Sequence, residues 1–181
     1  MLNNQVSEVL EKYYKEKNND LFLKEAFEPL NLPTEITQFC VANNIKIKPM
    51  QFGTYPSEQW YFKIDGYKNN DFEVSYISIL TVSKLAPIYR LEHNFEVVNK
   101  DPKKISPTLD GSAEEGHSFL QADLDRFLKK RFEKDGHSRM FETEATRKIE
   151  GVNFPEDVIL FGPDVTQEDI LFRDVLDILP D

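Results

Sequence analysis

The sequence predicts an α+β fold: a central antiparallel sheet of four to five strands packed by helices, with an N-terminal helical segment and an acidic C-terminal helix. Three observations carry this prediction. Residues 1–44 place apolar side chains at helical spacing, residues 45–98 alternate apolar and polar side chains, and a capped helix with a basic end opens at Ser118. The 181 residues are read as one domain, divided into the helical segment 1–44, the sheet 45–98, a long loop 99–117, and 118–181 with a helix, a short strand and the acidic helix. A chain of this length holds a core without metal or disulfide staples.

Val6, Val9, Leu10, Tyr13 and Tyr14 form the first amphipathic stripe. Asp20 is placed to cap a second helix that runs through Phe27 to Pro29, and a third runs from Pro33 to Ala42 with Ile36, Phe39 and Cys40 on one face. Ile45 and Ile47 begin the sheet, where Pro49 marks an edge strand. Trp60, Phe62 and Ile64 alternate with polar neighbours. Phe72–Val82, apolar on both faces, predicts a central strand. Past Pro87, the run Tyr89, Leu91, His93, Phe95 and Val97 predicts the partner strand of a hairpin. Asn99–His117, with two Pro and two Gly, shows no period and reads as a functional or mobile loop. Ser118 with Gln121 reads as a capping box, with Leu120, Leu124, Phe127 and Leu128 as the stripe and Gly136 as the stop. Residues 140–150 have no decided structure, Val158–Phe161 reads as a last strand, and Asp164 or Thr166 caps the final helix.

Composition narrows the function. Hydrophobic residues make up 40% of the chain and 14 are Phe, too many for a disordered protein. The single Cys40 permits neither an internal disulfide nor a four-cysteine zinc site, and reads as a small core residue. No apolar run reaches the ~18 residues of a membrane span, and the first residues lack the pattern of a signal peptide. A cytoplasmic location is expected. The charge is uneven: 22 basic against 32 acidic residues give −10, and the last 31 residues hold one basic residue, Arg173, against eight acidic ones. Such a surface repels nucleic acid and anionic lipid and attracts a basic protein.

No motif of an enzyme class is present: no nucleophile elbow, phosphate loop, dinucleotide fingerprint or HExxH. Asp123 and Asp125, two apart in the first turn of the capped helix, diverge too far to share a proton and read as dipole-stabilising. His93 falls on an apolar strand face and reads as a core histidine. His137 reads as a solvated turn residue, and His117 follows Glu114 and Glu115 at the end of the loop. No cofactor or metal is expected.

In size, acidity and lack of motifs, the chain resembles the immunity proteins that bacteria make against basic toxins. That resemblance implies a non-enzymatic, protein-binding domain acting through carboxylates. The expected partner-binding residues are Glu168, Asp169, Asp174 and Asp177 on the outer face of the last helix, with Asp164 and Asp181 at its ends. Two other readings stand beside it. One is a small hydrolase or metal-dependent enzyme using the 99–117 loop, with His117, Glu114 and Glu115 near its site. The other is a homo-oligomeric structural or regulatory domain, for instance a homodimer, in which Tyr55, Trp60, Tyr61 and Tyr67 form a self-contact.

Overall fold

In the computed structural model, which describes residues 2–16, 18–50, 55–101, 103, 109–153 and 164–173, five strands cross one antiparallel sheet in chain order. They are β1 (Lys46–Met50), β2 (Ser57–Lys68), β3 (Phe72–Ser83), β4 (Ile88–Asn99) and β5 (Leu109–Ala113). β3 and β4 form the expected hairpin, with Leu80 opposite Leu91 and Ser78 opposite His93. β6 (Ser138–Arg139) pairs in parallel with the start of β4. A second, two-stranded sheet joins β7 (Lys148–Asn153) to β8 (Asp164–Thr166).

The alternation of each strand sorts its side chains between two faces. Trp60, Phe62, Ile64, Leu80, Val82, Tyr89 and Leu91 form the inner face. Ile36 and Cys40 of α3 (Thr34–Ala42) and Leu124, Leu128 and Phe132 of α4 (Phe119–Lys134) pack against it. Each Val, Leu, Ile or Phe among them contributes ~1.5–3 kcal/mol on burial. Trp60, 7% exposed, belongs to this core and cannot serve a self-contact, whereas Tyr67 is 65% exposed.

A second core gathers the two ends of the described chain. α1 (Leu2–Val9), a π-helical turn over Leu10–Lys15 and α2 (Asn19–Phe27) supply Val6, Val9, Tyr13, Tyr14 and Phe22. Met140, Ala145 of α5 (Glu142–Ala145), Val165, and Ile170 to Phe172 of α6 (Gln167–Phe172) complete it. Three hydroxyls tie α6 down: Ser57 donates to Phe172 O (2.7 Å), Ser83 to Leu171 O (2.8 Å) and Tyr14 to Ile170 O (2.9 Å). The helix is capped by Thr166, one of the two expected caps.

Several expectations need correction. The loop Asn99–His117 contains β5, whose Gly and Asp give it weak strand propensity and whose pairing comes from the free edge of β4. Ser118 does cap α4, accepting from Gln121 N at 3.2 Å, but the Gln121 side chain reaches back to His117 N (2.9 Å to Oε1) and not to Ser118 N, while its Nε2 turns into the sheet. The first turn of α4 contains no acidic residue, so Asp123 and Asp125 lie in the second turn. Gly136 ends α4 as expected, with the positive φ of 78° that glycine adopts without strain. His137 is not a solvated turn residue; it is half-buried, edge-on to Phe132 at 5.1 Å, and burial lowers its pKa. Residues 140–150 form α5 and the start of β7. Val158–Phe161 lies outside the described residues.

Candidate functional site

The expected acidic site divides. Asp174, Asp177 and Asp181 lie outside the described residues. Asp164 forms an ion pair with Lys148. Glu168 is held by Arg90 and, at 3.2 Å, by Arg173. Asp169 is a correction: it is not on an outer face but 3% exposed. Its Oδ2 accepts from Thr166 N at 2.9 Å while Thr166 Oγ1 accepts from Asp169 N, so the residue closes the cap of α6, and Arg173 lies 3.1 Å from Oδ1. A helical wheel treats α6 as one face of a long helix, but its first turn is spent on capping. The three described carboxylates of this site therefore carry cationic partners.

A polar brace runs beside His93 in the inner core. Ser78 of β3 and His93 of β4 face each other across the hairpin, and Ser78 Oγ lies 2.8 Å from His93 Nδ1. His93 Nε2 faces Asp125 of α4 at 3.6 Å, beyond hydrogen-bond reach. Arg139 Nη1 bridges both oxygens of Asp125 at 2.9 Å, and Nη2 donates to Leu91 O (3.1 Å) and Glu114 O (2.9 Å). Burial raises the pKa of Asp125, yet His93 and Arg139 outweigh it and hold the carboxyl below its ordinary value. Gln121 Nε2 donates to Ile77 O at 3.3 Å and to Asn94 O at 3.1 Å, pinning α4 to the sheet.

Hydroxyl, imidazole and carboxylate stand in the order of a nucleophile, its base and an orienting acid. Ser78 and His93 are both 0% exposed, however. A substrate cannot reach a hydroxyl without surface, so Ser78 and His93 are core residues, and Arg139 and Gln121 are what brace the helix to the hairpin. His93 is a core histidine, as its strand face implies. His117 is exposed, its Nε2 3.1 Å from His93 O and its ring edge-on to Phe95 at 4.7 Å. Glu114 Oε1 accepts instead from Glu142 N, so the loop-end triplet does not converge. Among the described residues, no three His, Cys, Asp or Glu side chains are placed to hold a metal ion. Cys40 is 0% exposed, and burial pushes its thiol up to about 11.

The opposite face of the sheet is different in character. Register puts Ser75, Glu96 and Asp110 in one row across β3, β4 and β5, and Ile77, Asn94 and Ser112 in the next. These six side chains, with Phe95 and Gly111, line a groove of about 370 Å³. Ile77 and Ile79 pack against neither hydrophobic core and remain half-buried. Ser112 Oγ donates to Glu92 Oε1 at 2.8 Å, fixing one end of the groove. Among the described residues, no cation forms an ion pair with Glu92, Glu96 or Asp110. Gly111 leaves room for a neighbouring ring: a Cβ here would meet Phe95 Cε1 at 2.4 Å.

Sequence reasoning missed the roles of Ser78, Asp125, Gln121 and Arg139. It also missed the groove residues Glu96 and Asp110. The alternation of β4 already puts Glu92, Asn94 and Glu96 opposite His93, the one signal that pointed to this face. No protein-family profile, curated protein or solved structure matches the chain.

Proposed function

We propose that the chain is a non-enzymatic, acidic protein-binding domain of the immunity or antitoxin type, which neutralises a basic protein partner through its carboxylates. The observation that carries this reading is the charge: −10 overall, with eight acidic residues against one basic in the last 31. An excess of that size steers a basic partner toward the surface and speeds its encounter at low salt. The burial of Ser78 and His93 supports the same reading, because the one catalytic-looking arrangement among the described residues is spent on packing.

The test is capture from lysate of the native host with tagged protein, washed first at low and then at high salt. One basic protein, retained in equal stoichiometry at low salt and released by high salt, is the expected result. Purified, that protein binds the chain with an association rate that falls steeply with ionic strength. Retention of no basic protein in the low-salt wash refutes the reading.

A further inference from the structure

We infer that the docking surface for a basic partner is the outer face of β4–β5 together with the free edge of β5, and that its occupant is an extended Lys/Arg-rich segment of the partner protein. The inference rests on the proposed reading of the chain as a binder of basic proteins, and it moves the contact away from the last helix. Three independent features meet at this place.

The first is an unpaired strand edge. β5 is the last strand of the meander, and among the described residues no strand pairs with its outer side. Leu109 is 62% exposed, and Asp110 and Ser112 are exposed as well. The opposite edge is defended differently: β1 carries Pro49, which lacks an N–H, and two lysines, Lys46 and Lys48. Proline and lysine are the usual protections against strand addition, and β5 has neither. An extended segment can therefore add to β5 through main-chain hydrogen bonds.

The second feature is a groove of about 370 Å³ beside that edge, wide enough to take side chains from an added strand. The third is charge. Glu96 and Asp110 stand side by side in the groove without a cationic partner among the described residues, whereas Asp164, Glu168 and Asp169 are each paired. Strand neighbours lie ~4.8 Å apart, so alternate residues of an added strand stand beside Asp110, and a lysine or arginine reaches Glu96 as well. Such pairing supplies affinity through the backbone and selectivity for basic side chains through the carboxylates.

The probe is a fluorescein-labelled peptide of about ten alternating lysines and valines, long enough to span the edge. A second peptide carries N-methyl groups on alternate residues, and a third has glutamate for lysine. Anisotropy at low salt should show binding of the first peptide only, with hydrogen-exchange protection gained in β5 and not in β1. Glu96→Lys/Asp110→Lys should weaken binding by at least ~10-fold, while Asp164→Asn/Glu168→Gln leaves it within ~2-fold. Should the double lysine variant lose its native circular dichroism, Glu96→Gln/Asp110→Asn takes its place. Equal binding of the N-methylated peptide overturns strand addition, and equal binding by the groove variant overturns the site. Either result leaves the basic-partner reading intact if the captured protein still binds. Failure of wild-type protein to bind the first peptide overturns the inference, and the capture experiment then decides whether the broader reading falls with it.

Discussion

Asp125→Asn keeps the shape of the side chain and removes its charge, so it isolates the ion pair at the centre of the polar brace. Asp125 is 20% exposed and Arg139 only 12%. The guanidinium is also fixed by Leu91 O and Glu114 O, so it stays in place when its carboxylate is neutralised and its charge is left without a counter-ion. Breaking a fully buried pair costs about 3–5 kcal/mol. With part of Asp125 in water, ~2–3 kcal/mol is expected. For a chain of this size that loss lowers Tm by ~4–12 °C. Urea and thermal unfolding at neutral pH, followed through the single tryptophan Trp60, measure it directly.

The pH dependence gives a second handle on the same pair. The folded pKa of Asp125 lies below its ordinary 3.8, so its stabilisation is complete above that value and is lost as pH falls through the lower folded one. The difference between wild type and Asp125→Asn is therefore constant well above the ordinary 3.8 and closes only as the pH falls below it. A neutral-pH Tm within ~1 °C of wild type, or a gap that persists unchanged in acid, refutes the account of the brace.

Two further outcomes are expected. Cys40, fully buried with its thiol pushed up to about 11, should alkylate at least ~100-fold more slowly in native protein than in urea; comparable rates would contradict its place in the core. Gly111→Ala drives a methyl group into the Phe95 ring, which sits edge-on to His117, and should cost ~1–3 kcal/mol and speed amide exchange in β5. Wild-type stability in that variant would mean the ring swings aside freely.

Local pattern accounts for what could be read before the structure. Period-2 alternation over Tyr89–Val97 named both the strand and the buried face that receives His93, and the Ser118 cap and Gly136 stop bounded α4. Where a residue answers to a distant partner, pattern fails. Asp125 and Arg139 lie fourteen positions apart on different elements, and nothing in their spacing shows that they meet. β5, a five-residue strand with a central glycine, exists because β4 offers it an edge. Asp169 went astray for the opposite reason: a purely local demand, the cap of α6, overrode the face on which a wheel places it.

The composition of the second core has a consequence for biosynthesis. Its members come from residues 6–26 on one side and, apart from Leu85 and Ile88, from 140–172 on the other. A ribosome makes the first set well before the second. The hairpin and its neighbours can pair while the chain is still being made, but α1 and α2 have no complete surface to pack on until α6 has left the exit tunnel. Until then Val6, Val9, Phe22 and the two tyrosines are exposed apolar surface that a chaperone can hold. The hydroxyls of Ser57 and Ser83 then act as a latch, closing on the α6 carbonyls only once α6 has been made.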